Sequence, residues 1–198
     1  MVVYKKGVAS RHVAVDIRTG TRHNPMNKKP THPKPPQDAA DHPPCIYLTA
    51  GLRRQIQQHL CTAYPQEACG LLLARHSLRP ARLNGEIHIT EAWPAANQVP
   101  KHEQFNRYAI APAAMHQAQN RASAAGLDIA GVYHSHPDAP AQPSATDLAA
   151  AWPVYVYIIV RTSSTGATEW QAWRLREDGS HRVFVQMPLE TYTDATGE

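Results

Sequence analysis

Two apolar runs of strand length, with segments of helical period before and between them, leave few folds open to this chain. Cys69–Ala74 is continuously apolar, and Val154–Val160 is the longest such run in the sequence. Neither approaches the ~20 residues that a membrane-spanning helix needs, so both read as buried strands. Before the first run, Ile46–Leu48 reads as a short strand. Thr49 can then N-cap a helix whose Leu52, Ile56 and Leu60 share one face and which ends before Pro65. Glu86–Ala92 alternates with Ile87 and Ile89 on one side, as a half-buried strand does. Pro112 suits the first turn of a second helix, striped by Met115, Ala118, Ala122 and Ala125 and closed by Gly126. Ile129–Tyr133 is a strand leading into His134, and Ser144–Trp152 is a short helix. Val154–Arg161, Thr168–Arg176 and Arg182–Gln186 are closing strands, the first two joined at Ser163–Gly166. The order β-α-β-β-α-β-α-β-β-β predicts an α/β fold with helices packed on a mixed sheet.

Composition divides the 198 residues unevenly. Residues 1–44 hold eight Lys/Arg against three Asp, and seven of the 17 prolines. Such a segment buries too little apolar surface to offset its ordering entropy, so it reads as a poorly ordered extension. Met1–Ile17 could still hold a short strand. Its His12, and His23, His32 and His42 further on, could bind metal weakly, but a solvated linker explains them as well. Residues 45–189 form the domain, and the chain after Pro188 reads as a frayed end, with 190–198 flexible. From residue 45 on, twelve Lys/Arg meet thirteen Asp/Glu. The domain therefore lacks the basic excess of a nucleic-acid binder. Three cysteines make no disulfide framework and fit a reducing compartment. No secretory leader is legible, so a soluble, cytoplasmic protein is expected.

The chemistry sits beyond the strand that ends at Tyr133. In His134-Ser135-His136 the two imidazoles fall on the same side of an extended backbone, while Ser135 faces away. Taken alone, a His-x-His at a strand exit is weak evidence for a metal. Ser144 and Asp147 are i, i+3 neighbours at a helix start and can look back at the histidines. Ser-x-x-Asp is also the pattern of a capping box. The two uses compete for Asp147, whose carboxylate is not expected both to cap and to ligate fully. Two His and one Asp would nevertheless give a catalytic zinc its three protein ligands and leave one position open. With one carboxylate the centre stays positive, which lowers the pKa of a bound water to ~7. A general base is still needed, and Glu67, just ahead of the buried Cys69–Ala74 run, is the candidate. A loop Glu at the surface is the plain alternative.

His134-Ser-His136, seven residues, Ser144, two residues and Asp147, with Glu67 far upstream, resemble the JAMM (MPN+) metallopeptidases. The stretches Gly131-Val-Tyr-His and Glu67-Ala-Cys-Gly-Leu-Leu are similar to the bacterial members. The resemblance runs from about Ile46 to Gln186. It implies a cytidine-deaminase-like α/β sandwich, zinc on His134, His136 and Asp147, and Glu67 as the residue that moves a proton from water to the leaving amine. Ser144 would stabilise the oxyanion, and Asn97–Ile110 would border the substrate groove, with Asn97 a candidate substrate contact. Relatives that cut polyubiquitin carry insertions, for which the short path from His136 to Val154 leaves no room. The compact form looks like bacterial members that act at the Gly-Gly end of ubiquitin-like sulfur-carrier proteins. Such a tail could pair with a strand-forming edge at Gln98–Tyr108.

Rival chemistries fit less well. Cys69 enters an apolar run, where cysteines are usually inert packing. His-Glu-x-x-His is absent, and so are the His-x-Glu and Pro-Cys-x-x-Cys of zinc deaminases. A deconjugase of a bacterial ubiquitin-like or antiviral pathway and a non-catalytic interaction module on the same fold remain open. The oligomeric state is not legible.

Overall fold

A computed structural model describes residues 44–75, 86–179 and 181–193. Nearly all of the proline-rich extension, with its histidines, and the last five residues lie outside the described residues. Among the described residues twelve elements are regular: β1 (Ile46–Thr49), α1 (Ala50–Ala63), β2 (Cys69–Arg75), β3 (Ile87–Ala95), a 3₁₀ turn (Lys101–Glu103), α2 (Pro112–Ala124), β4 (Leu127–Pro137), α3 (Ala145–Ala150), β5 (Val156–Ser163), β6 (Gly166–Asp178), β7 (His181–Met187) and β8 (Leu189–Tyr192). The strands form one mixed sheet in the order β7-β6-β5-β4-β2-β3-β1-β8.

The helices take the places that their apolar stripes demand. Thr49 caps α1, its side chain accepting from the Leu52 amide at 3.1 Å. The buried Leu52, Ile56 and Leu60 of α1 pack with Leu72, Ile89, Tyr133 and Ile158 on one side of the sheet. Met115, Ala118 and Ala122 of α2 pack with Leu71, Leu73, Ile129 and Val132 on the other. Successive residues of β2 thus serve opposite cores, which is why that run is apolar without alternation. At roughly 1.5–3 kcal/mol per fully buried aliphatic side chain, each helix stripe contributes several kcal/mol.

Two connections at the centre place the functional residues. β4 runs antiparallel to β2, with Cys69 opposite His134 and Gly70 opposite Tyr133. It runs parallel to β5, with Gly131 opposite Val156 and His136 opposite Arg161. Gly131 is required here, because a Cβ on it would lie 2.1 Å from the Val156 carbonyl oxygen.

Two expectations are corrected. Where a frayed end was expected directly after Pro188, Leu189–Tyr192 is a strand, paired in parallel with β1 from Ile46↔Leu189 to Thr49↔Tyr192. Its residues are half-buried or exposed, so no apolar pattern marks it, and its backbone hydrogen bonds hold it. The segment expected to offer a strand edge at Gln98–Tyr108 is instead a folded loop. It contains the 3₁₀ turn and is closed by an isolated bridge between Asn97 and Ile110.

Candidate active site

β4 continues through Pro137, so His134, Ser135 and His136 are strand residues rather than residues of an exit loop. His134 and His136 lie on the same side as Val132, which faces α2. Ser135 points the other way, is fully buried, and its Oγ accepts from the Ala68 amide at 3.0 Å. The Ser135 amide donates to the Ala68 carbonyl at 3.0 Å, so this pair fixes the chain just after Glu67 against β4.

The two imidazoles converge, with Nε2 of His134 and Nε2 of His136 3.1 Å apart. Nδ1 of His136 lies 2.9 Å from the Pro140 carbonyl, which can only accept. That nitrogen therefore carries the proton and leaves the Nε2 lone pair facing the cluster. Asp147 completes the group: its Oδ1 is 3.3 Å from His134 Nε2 and its Oδ2 is 3.6 Å from His136 Nε2. One ligand atom from each of the three residues lies within 4.8 Å of the others. His134 is fully buried, and its Nδ1 has no hydrogen-bond partner among the described residues. Two nitrogen lone pairs and a carboxylate gathered at the edge of a cleft suit a divalent cation of zinc's preferences.

The charges follow from this geometry. Burial pushes the His134 pKa down, against partial opposition from Asp147. For His136 burial acts in the same direction but is outweighed by hydrogen bonds to Asp147 and to the Pro140 carbonyl, and its pKa rises. Burial would raise Asp147; the two histidines and Ser144 overcome it and hold the carboxyl well below the usual carboxylate range. Glu67 is 6% exposed, and burial above all pushes its pKa up to about 8. The nearby Asp147 adds to that rise and His136 opposes it.

Asp147 also resolves the expected competition between capping and ligation. Ser144 Oγ accepts from the Asp147 amide at 3.1 Å, and Asp147 Oδ2 accepts from the Ser144 amide at 2.7 Å, a complete capping box. Oδ2 also accepts from Ser144 Oγ at 2.6 Å. Oδ2 caps α3 and still lies 3.6 Å from His136 Nε2, while Oδ1 takes no part in the cap and faces His134. The cap sets the carboxylate's orientation and leaves it free to face the histidines.

These groups open onto a cleft of about 270 Å³ lined by Glu67, His136, Ser144 and Asp147 together with Phe105–Tyr108. Phe105–Tyr108 of the loop from Asn97 to Ile110 are among the residues lining this cleft. Asn97 itself does not line it. Its Nδ2 donates to the carbonyls of Glu67 and Arg107, each at 2.9 Å. Its Oδ1 accepts from the amides of Val99 at 3.1 Å and Ala109 at 3.2 Å. A side-chain amide has two donors and a two-lone-pair acceptor, so nothing remains for a substrate. Sequence reasoning missed Tyr108, a buried ring 4.5 Å from the His134 ring, centroid to centroid. It also missed Glu169 and Trp173 of β6, whose side chains hold the backbone N–H and C=O of Ala141 beside Pro140. No spacing signal connects those positions to the histidines.

Residues 49–176 match the model of prokaryotic homologues of the JAB domain. A desampylase of Haloferax volcanii is 34% identical over 115 residues, covering 57% of this chain and 76% of that protein. A probable TtuB-protein conjugate cleaving protease of Thermus thermophilus is 29% identical over 123 residues, covering 62% and 74%. Among solved structures, a protein of Desulfitobacterium hafniense superposes with a TM-score of 0.62 at 23% identity, covering 75% of this chain and 94% of that one. A protein of Salinibacter ruber does so with a TM-score of 0.52 at 33% identity, covering 73% and 90%.

Proposed function

Because the chain belongs to the family of prokaryotic homologues of the JAB domain, we propose that it is a zinc-dependent isopeptidase acting on conjugates of a ubiquitin-like protein, at the carrier's C-terminal Gly-Gly. The observation that carries this reading is the meeting of His134, His136 and Asp147 beside a buried Glu67 in one cleft, within the matched region. The names of the two relatives, one a desampylase and one a probable conjugate-cleaving protease, supply the substrate class.

His134, His136 and Asp147 would hold the metal. When bound, zinc supplies a Lewis acid that makes water nucleophilic near neutral pH and polarises a carbonyl. Glu67 is the general base: burial raises its proton affinity into the range where a carboxylate can take a proton from water and return it to a leaving amine. Ser144 borders the same space, but its hydroxyl proton is directed at Asp147 Oδ2, so stabilising an oxyanion requires that proton to swing toward the substrate. Tyr108 and the cleft walls keep bulk water off His134.

The cleft volume falls below the usual range for drug-sized ligands. It has room for a narrow tail, and glycines thread narrow space without a Cβ to clash. The segment 98–108 is a loop and not a strand edge, so the tail is held by the cleft walls. Release of a residue from a sulfur carrier is a finer version of the same chemistry, and deconjugation from target proteins is the broader one. The ligand set is intact, which argues against a purely non-catalytic module. No described helix is long and apolar enough to cross a membrane.

The test is mass spectrometry of two probes after incubation with the zinc-loaded protein: a ubiquitin-like carrier joined by its Gly-Gly end to a lysine, and casein. Cutting after Gly-Gly with casein intact supports the reading. Rapid digestion of casein with the Gly-Gly linkage untouched would defeat it.

A further inference from the structure

Glu67 reaches the cleft from a loop, not from a strand or helix, so something must hold its backbone. The Glu67 amide donates to the Gln104 carbonyl at 2.6 Å, and the Glu67 carbonyl accepts from Asn97 Nδ2 at 2.9 Å. Both backbone groups of Glu67 are thus bound to the Asn97–Ile110 loop. The same Asn97 amide closes that loop on itself through Arg107, Val99 and Ala109. Gln104 Nε2 tightens it further, donating to the carbonyls of Asn97 at 3.2 Å and Val99 at 2.7 Å. Two carbonyls on Nδ2 and two amides on Oδ1 fix which end of the Asn97 side chain is which. The loop closed in this way supplies Phe105–Tyr108, which line the same cleft as the metal-ligand candidates His136 and Asp147.

We propose that Asn97 is a positioning residue: it clamps the backbone of Glu67 to the cleft wall, so that base and wall move as one unit. This rests on the reading of Glu67 as general base. The physical reason is geometric. A general base must sit within hydrogen-bond reach of the proton it takes, and a displacement of about 1 Å from a remote change can cost about a hundredfold in rate. Without the Asn97 amide, the Glu67 carbonyl and the loop amides lose their shared partner, and the loop can part from the Glu67 backbone. The metal-ligand candidates belong to β4 and α3, outside this network, so the metal should stay.

The experiment uses the full chain loaded with zinc and a fluorescent peptide in which Gly-Gly is joined by an isopeptide bond to lysine. Asn97→Ala should lower kcat by roughly ten- to a hundredfold, with KM changed less than about threefold and zinc still near one per chain. Gln104→Ala, which leaves Asn97 in place, should show the same signature more weakly and serves if Asn97→Ala does not fold. In a Glu67→Gln background, Asn97→Ala should cost almost nothing further, because its effect passes through Glu67. An equal loss in that background would overturn the proposal. So would unchanged kcat in both single variants, or a loss that merely tracks lost zinc. If the wild-type protein fails to cut the peptide, the functional reading fails instead. The clamp is then judged by amide hydrogen exchange, which should speed up at Glu67 in Asn97→Ala and would refute the clamp if unchanged.

Discussion

Removing the charge from Glu67 should stabilise the metal-free protein, and the gain should grow with pH. Burial raises the Glu67 pKa from 4.5 to about 8. A raised folded-state value means that the folded chain keeps its proton more tightly than the unfolded chain does. The stability tied to that proton is fully present below the unfolded value, near 4.5, and is lost as pH rises through the folded value. The linkage integral gives a cost of about 1 kcal/mol at pH 5 and about 4 kcal/mol at pH 8, at 1.36 kcal/mol per pH unit. Solvent entry into the cleft makes this a ceiling. Gln at position 67 has no proton to lose, so Glu67→Gln should show no such cost. Guanidinium melts of both proteins in chelator, from pH 4.5 to 8.5, measure the difference directly. The variant should gain on wild type by several kcal/mol across that window. A difference that stays flat with pH would refute the claim that burial raises the Glu67 pKa in the metal-free protein.

Other expectations follow from the site's supports. Trp173→Phe keeps a ring but loses the Nε1–H that donates to the Ala141 carbonyl at 3.0 Å, next to the Pro140 that orients His136. Zinc affinity, read by competition with a chromophoric chelator, should fall about tenfold with the fold intact. Gly131→Ala forces a Cβ to within 2.1 Å of the Val156 carbonyl oxygen, which belongs to backbone that cannot turn aside. It should cost about 3 kcal/mol or more in a denaturant melt. Deleting the chain after Pro188 removes the parallel pairing of β8 with β1 and should lower the melting temperature by several degrees, where a frayed end would cost nothing.

What the sequence reveals and what it hides divide along physical lines. The stripe Leu52, Ile56, Leu60 and its Thr49 cap are local signals, and α1 forms where they point. The apolar run at Cys69 is equally legible, because a strand covered on both faces needs no alternation. Ser144 and Asp147 could be named from spacing alone, but whether Asp147 could cap and also face a metal could not. That answer lies in which oxygen points where: Oδ2 accepts the cap and still faces His136, while Oδ1 faces His134 outside the cap. β8 escapes detection because backbone pairing with β1 holds it, and its residues carry no pattern of burial. Asn97 could be noticed as a loop asparagine, but its partners stand up to 30 residues away. Sequence offers no register for such a contact. For the same reason Trp173, 32 residues from Ala141, is invisible until the sheet is assembled.

In the proposed chemistry the metal cluster and Glu67 divide the labour. Elemental analysis and isopeptide turnover, measured on the same preparations of wild type, His136→Ala and Glu67→Gln, test it most directly. Wild type should carry about one zinc per chain and cut the Gly-Gly linkage, and His136→Ala should lose most of both. Glu67→Gln should keep its zinc and lose turnover by roughly a hundredfold or more. Near-normal turnover in Glu67→Gln at full zinc, or full zinc with activity in His136→Ala, would contradict it.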